Sequence, residues 1–358
     1  YDTVRLMERL PETPPDALEI PDGVLMRPTV MAIFDIIKDE ITIVTPVRPD
    51  AKLPAEKAYK AACKRLKSVL AALNEPLPHS PSVTARKIAA PKPTSNTTPT
   101  EYKKMVQKAK EYIVAGDIFQ VVLSQRFSAP FSLPPFALYR ALRRTNPSPF
   151  LFYLNLDGFA VVGSSPEIMV RVRDGRVTIR PIAGTRPRGA TPHEDKALEE
   201  ELLADPKERA EHLMLLDLGR NDAERVSTLG SVGVTDQFFL EHYSHVMHIV
   251  SNVVGKLRPD CDALDALAAG FPAGTLSGAP KVRAMEIIDE LEPERRGLYG
   301  GAGGYFSANG SMDTCILLRT ALVKDEIMYV QAGVGVVADS DLDAEFRESH
   351  LKARALVQ

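Results

Sequence analysis

The amino-acid sequence predicts an α+β fold in which antiparallel sheets carry helices on their outer faces. Alternating, β-branched segments are joined twice by Asp-Gly, in FLFYLNLDGFAVVG (150 to 163) and EIMVRVRDGRVTIRPI (167 to 182). Asp-Gly between such segments is the turn of an antiparallel hairpin. Helical segments fall irregularly among the strands, without strict β-α-β alternation, which argues against a parallel sheet.

The elements follow in order. VMAIFDII (30 to 37) and ITIVTPV (41 to 47) read as strands, and AEKAYKAACKRLKSVLAAL (55 to 73) has the apolar spacing of a helix. Residues 74 to 100 hold six prolines and several hydroxyl residues, the composition of an exposed linker. The expected organisation is therefore an N-terminal region 1 to 73, a proline-rich linker 74 to 100, and a main domain 101 to 358. Thr100 precedes a helix with apolar residues at Tyr102, Met105, Tyr112 and Ile113, which stops at Gly116. A strand follows at 118 to 127, then the two hairpins. Helices are expected at about 205 to 218, 261 to 270 and 280 to 291, and strands at 245 to 255, 301 to 307, 313 to 323 and 327 to 337. A final helix begins at Ser340 or Asp341.

Composition narrows the partners. The net charge is -3 with 25% charged residues, so no basic excess suggests nucleic acid and no acidic excess suggests disorder. Cys63, Cys261 and Cys315 lie far apart without CxxC spacing, which indicates neither a disulfide framework nor a thiolate zinc site and fits a reducing cytoplasm. No apolar run approaches the length of a membrane helix, and the N-terminus has no signal-peptide pattern. The first residue is Tyr, as expected of a chain that begins inside a longer protein.

Several constellations carry chemistry. In DPKERAEHLMLL (205 to 216), Asp205, Pro206 and Glu208 form a capping-box arrangement. Glu208, Glu211 and Leu215 also share one helical face, so two carboxylates border a core residue. Glu345 and Glu348 repeat the i, i+3 spacing beside Leu342 and Phe346. Each pair alone reads as solvated surface; two pairs together offer the oxygen ligands that Mg²⁺ requires. FPAGTLSGAPK places small residues before a helix, where free N–H groups can meet an anion, but it lacks G-x-x-x-x-G-K-S/T. YGGAGGYF and QAGVGVV are glycine-interrupted strands, open to close approach by backbone or ligand. Arg319 interrupts the apolar CILLRTAL, either inward against a carboxylate or outward to solvent, and the residues leave both open. His248 lies in a strand and Glu167 at a strand end, each with a structural reading beside a catalytic one. RPIAGTRPRGA (180 to 190) reads as a turn or as an anion site.

The ordered series PIAGTRPRG, ERAEH with DLGRND, HIVSNVVG, PAGTLSGAPK, YGGAGGY, ILLRT, AGVG and AEFRES resembles the chorismate-binding enzyme family, densely over residues 100 to 358. The resemblance implies that the antiparallel sheets pack as a sandwich. It implies Glu211 and Glu348 as Mg²⁺ ligands supported by Glu208 and Glu345. It further implies Gly184, Thr185, Gly333, Val334, Gly335 and Thr275 as substrate contacts, Tyr299 and Arg319 as the grip on the enolpyruvyl carboxylate, Glu167 as general acid, and His248 as an aid to proton removal. Glu208 and Thr275 are grouped with Glu167 and His248 as catalytic.

Within the family, relatives that add water to chorismate carry Lys at the position of Gln120, and those that make aminodeoxychorismate carry Lys at that of Ala183. Their absence implies ammonia-dependent conversion of chorismate to anthranilate and pyruvate, the first step of tryptophan biosynthesis. The other readings are aminodeoxychorismate formation and a truncated, non-catalytic chorismate- or amidotransferase-binding module. No cysteine lies in a G-x-C-x-G elbow, so the resemblance implies a glutamine amidotransferase subunit as partner and ammonia source. It also implies a longer N-terminal region with a Leu-Leu-Glu-Ser-like motif that is absent here; Asn146, Pro147 and Ser148 resemble the other half of a feedback tryptophan site.

Overall fold

The computed structural model describes residues 1–48, 50–76, 92–243 and 246–357. Most of the proline-rich stretch, residues 77–91, lies outside the described residues. The chain divides into Gly23–Ala89 and a larger unit made of Tyr1–Asp22 with Ala90–Gln358. In the smaller unit, β1 (Met31–Asp35) and β2 (Glu40–Val44) form an antiparallel hairpin, followed by helix α1 (Ala55–Asn74).

The larger unit begins with a short 3-10 helix at Asp2–Leu6. After it come β3 (Thr94–Ser95), α2 (Pro99–Ala115), β4 (Gln120–Pro130), α3 (Pro135–Thr145), β5 (Phe150–Leu156), β6 (Phe159–Ser165), β7 (Ile168–Arg173), β8 (Arg176–Ile179) and β9 (Ile182–Pro187). Helices α4 (Pro192–Ala204) and α5 (Pro206–Glu224) precede β10 (Gly233–His242) and β11 (Val246–Lys256). The chain closes with α6 (Ala263–Gly270), β12 (Gly278–Ala279), α7 (Lys281–Leu291), β13 (Ala302–Phe306), β14 (Met312–Ile316), β15 (Thr320–Lys324), β16 (Ile327–Val336) and α8 (Leu342–Val357).

Two seven-stranded antiparallel sheets result. One has the order β10-β11-β8-β7-β14-β13, with β9 also on β11; the other runs β12-β4-β16-β15-β6-β5, with β3 on β4. Helices α2, α7 and α8 cover the second sheet through a core that includes Tyr102, Val106, Leu123, Ile287, Val334 and Phe346. Helices α4 and α5 bury Leu202 and Leu216 against Ile249 and Val253 of the first. The predicted α+β class with large antiparallel sheets is thus the observed one.

Local chemistry explains the boundaries. Asp174 and Gly175 both have positive φ, 49° and 70°, the conformation of a two-residue turn whose twist matches its strands. Helix α2 starts earlier than expected: Thr98 caps it in a reciprocal box with Glu101, and Pro99 takes the first position, where its missing N–H costs nothing. Asp341 caps α8 by accepting the Ala344 N–H at 2.8 Å. The expected single strand over 313 to 323 is instead two. β14 ends at Ile316 in one sheet and β15 begins at Thr320 in the other, and the chain crosses at Leu317–Arg319 with Arg319 at φ 49°. That crossover is what places a cation between the sheets' loops.

Candidate functional site

Glu167 occupies the turn between β6 and β7, where its carbonyl accepts the Ile316 N–H at 3.0 Å. The residue is 7% exposed, and its Oε1 accepts the Thr275 hydroxyl at 2.9 Å. Burial pushes this carboxyl up to about 8, against the opposing pull of the Thr275 hydrogen bond and of Arg319. These partners do not replace the water lost on burial. Glu167 therefore holds a proton at neutral pH, as a general acid must. A cavity behind it is lined by Thr275, Met169, Leu215, Leu218, Gly274 and Asp222, among others.

Arg319 is half-buried and, among the described residues, forms no ion pair; burial lowers its affinity for the proton while Tyr243 and Glu167 offset this. A guanidinium shielded from water without a carboxylate is costly unless an anionic ligand supplies one. Tyr299 is 8% exposed, and its hydroxyl lies against Gly333. A Cβ on Gly333 would lie 2.7 Å from that hydroxyl, and one on Gly335 would lie 2.4 Å from Gln120 Nε2. Alternation along β16 thus turns both glycines to one face. Val334, between them, sends its side chain into the helix-covered core, so only its backbone is available to a ligand.

His248 lies on β11, paired with Thr185 of β9. Its Nδ1 is 3.0 Å from the Gly184 carbonyl and 3.1 Å from the Thr185 hydroxyl. Burial, Arg319 and Lys352 hold the imidazole down to about 4, so it is neutral at physiological pH. A neutral imidazole is competent to accept a proton.

The acidic pairs converge on two lysines. Lys207 binds Asp339 at 3.1 Å and feels the charges of Glu211 and Glu345; Lys352 binds Glu348 at 2.8 Å. The Glu211 carboxyl is raised by burial and by Glu208, and that of Glu345 by burial and Glu348. Glu208 does not close the expected capping box. Asp205 alone caps α5, and Arg186 draws the Glu208 carboxylate away at 3.1 Å while also binding Asp205 and Glu201. Gln120 Nε2 donates to Glu211 at 3.3 Å, and its buried Oε1 has no partner among the described residues.

Glu211 and Glu345 are half-buried and resist ionisation, each beside a second carboxylate, while Glu348 is exposed; carboxylate oxygens so disposed suit a hard divalent cation. The residues therefore fit Mg²⁺, although their oxygens are not yet gathered: the one group of three acidic or histidine ligand atoms within 4.8 Å, among the described residues, is Asp195, Glu199 and His242. There Asp195 is already neutralised by Arg188, at 2.5 Å, so that group reads as structural.

Asn146, Pro147 and Ser148 lie apart from the cavity behind Glu167, at the α3–β5 turn, where the Asn146 carbonyl accepts the Ser164 hydroxyl at 2.5 Å. Sequence reasoning overlooked Arg186, Lys352 and Tyr243. Lys352 had a local signal, four residues after Glu348. Arg186 stood in a noted motif, but its partners are fixed only by folding.

The family described as chorismate binding enzyme matches residues 1–358. Anthranilate synthase component 1 of Cereibacter sphaeroides is 60% identical over 356 residues, 99% of this chain and 71% of that protein. The protein of that name from Pseudomonas putida is 51% identical over 360 residues, 99% of this chain and 72% of its own length. The crystal structure of anthranilate synthase component I from Streptococcus pneumoniae superposes with a TM-score of 0.91 at 42% identity, covering 100% of this chain and 79% of that one.

Proposed function

The chain belongs to the chorismate-binding enzyme family, and on that premise we propose that it is the aminating subunit of an anthranilate synthase, converting chorismate and ammonia to anthranilate, pyruvate and water. The observation that carries this reading is a protonated buried Glu167 beside Arg319, which forms no ion pair among the described residues, with a neutral His248 and two positions, Gln120 and Ala183, that hold no lysine.

Arg319 and the Tyr299 hydroxyl bind the enolpyruvyl carboxylate, which supplies the counter-charge the guanidinium lacks. Gly184, Thr185 and the glycine face of β16 bring backbone close to the ring. Ammonia adds at C2, the ring double bonds shift, and the C4 hydroxyl departs as water with the proton of Glu167, held in place by Thr275. His248 then accepts the C2 proton as the enolpyruvyl group leaves and is protonated to pyruvate. Glu211 and Glu348, with Glu208 and Glu345 in support, would hold Mg²⁺, whose positive charge would make C2 of the ring more electrophilic. Ala183 has no nucleophile for a covalent adduct and Gln120 no basic nitrogen for activating water; its unpartnered Oε1 accepts a hydrogen bond from ammonia instead.

Ammonia comes from a glutamine amidotransferase partner, the component 2 that the relatives' name implies. Tryptophan is the proposed feedback ligand, with Asn146, Pro147 and Ser148 contributing. Among the described residues no helix is long and apolar enough to cross a membrane, and we place the reaction in the cytoplasm. Incubation with chorismate, Mg²⁺ and ammonium is expected to give fluorescent anthranilate and pyruvate. Aminodeoxychorismate, isochorismate or salicylate as main product, or chorismate binding without turnover, would reject the assignment.

A further inference from the structure

The pairing of β9 with β11 slips by one residue at the site. His248 faces Thr185 but Ile249 faces Ala183, which leaves Gly184 as an extra residue at φ 68°. Such a bulge rotates a peptide out of the ladder. Here it turns the Gly184 carbonyl onto His248 Nδ1 at 3.0 Å. A Cβ at this position would sit 3.2 Å from Glu208 Oε2, Ile249 Cδ1 and Leu202 Cδ1, a tight fit, and the positive φ favours glycine.

A carbonyl oxygen only accepts, so the nitrogen facing it must carry hydrogen. With lone pair against lone pair the contact would be repulsive. The Thr185 hydroxyl, 3.1 Å from the same nitrogen, offers its oxygen to the same N–H. Among the described residues no hydrogen-bond partner reaches Nε2. On the other side, Tyr243 packs edgewise on the imidazole, with ring centres 5.5 Å apart. Tyr243 is itself pinned: its hydroxyl donates to Glu241 at 2.9 Å, and its carbonyl accepts Arg188 Nη1 at 2.9 Å. Arg319, Lys352, Glu241 and Tyr243 are the charged and titratable groups around the ring.

We propose that the Gly184 carbonyl is a positioning group that fixes His248 as the Nδ1–H tautomer, so that Nε2 is the nitrogen that receives the C2 proton. Free imidazole favours neither nitrogen strongly, and an unbiased ring would present a donor where a base is needed for part of its time. The bulge removes that state. The inference rests on the proposed role of His248, but its test does not depend on turnover.

Protein labelled with 15N in its histidine rings, compared with His248→Gln for assignment, reports which nitrogen carries hydrogen. The expected spectrum has Nδ1 protonated and Nε2 bare at neutral pH; the reverse tautomer, or two nitrogens averaged as in free imidazole, overturns the proposal. Gly184→Ala is expected to scramble the tautomer and to slow pyruvate release about 10²-fold, the scale of a general base; a retained Nδ1–H ring removes the positioning role. Should that variant not fold, carbonyl-13C glycine with 15N threonine marks only the Gly184–Thr185 and Gly274–Thr275 peptides. His248→Phe should then move the Gly184 carbonyl resonance alone, and an unmoved resonance refutes the contact. Failure of the product assay would reject the functional reading while leaving the tautomer result to stand by itself.

Discussion

Replacing Glu167 by Gln separates the carboxyl's proton from its shape. The amide keeps an oxygen for the Thr275 hydroxyl, now 2.9 Å away, but has no acidic hydrogen. In the native protein Glu167 stays neutral until about 8, whereas its ordinary value is 4.5. Between those two values the unfolded chain binds fewer protons than the native one, so stability declines as pH rises through this window and levels off above it. At ~1.4 kcal/mol per pH unit the whole window costs about 5 kcal/mol, of which roughly 3 kcal/mol is spent by neutral pH. Gln does not ionise. Glu167→Gln is therefore expected to match the parent near pH 4.5 and to exceed it by a margin that grows to about 5 kcal/mol above pH 8. Activity moves the other way, by about 10²- to 10⁴-fold, because a buried hydroxide is a poor leaving group without its acid. Urea unfolding midpoints at acidic, neutral and basic pH, with the rate of anthranilate formation, decide it. A stability difference that does not vary with pH shows that Glu167 is not held protonated, and a variant with the parent's rate shows that its proton is not used.

Other substitutions probe separate parts of the site. Glu348→Ala removes a proposed ligand and frees Lys352, so calorimetry should find Mg²⁺ bound at least about tenfold more weakly, with turnover lost; unchanged affinity removes Glu348 from the ligand set. Gly333→Ala places a methyl 2.7 Å from the Tyr299 hydroxyl and 2.9 Å from the Leu123 carbonyl. It should cost about 1–3 kcal/mol of stability and raise KM for chorismate, both checked on one preparation by unfolding and steady-state rates. Lys281 binds both oxygens of Asp222 at 2.7 Å, with side chains only 12% and 10% exposed. Lys281→Met should destabilise by about 3–5 kcal/mol, and adding Asp222→Asn should recover part of it, because the cost is mostly that of a stranded charge.

Much of the fold was legible because its signals are local. Asp-Gly between alternating segments specifies a hairpin through backbone twist, and Asp205 and Asp341 announce helix starts through their own hydrogen bonds. Helix α4, not among the expected helices, carries the same kind of signal, Thr191 with Glu194 in a reciprocal box. The break at Arg319 was not legible. CILLRTAL is apolar on both sides of Arg319 and Thr320, and only the closing of two sheets makes the chain change partners there.

The candidate site divides along the same line. Residue types, and the missing lysines at Gln120 and Ala183, indicate the chemistry from the sequence, because a nucleophile or base is present or absent whatever the fold. Which groups are charged is a property of the folded chain. Glu167 keeps its proton, His248 stays neutral and Arg319 holds its proton less tightly because strands and helices distant in sequence exclude water around them. Glu208, free to close a capping box as far as local spacing tells, is instead drawn to Arg186. Spacing acts through bonds along the chain, whereas desolvation and charge act through space, and it is these that turn a list of acids and bases into an arrangement with assigned protons.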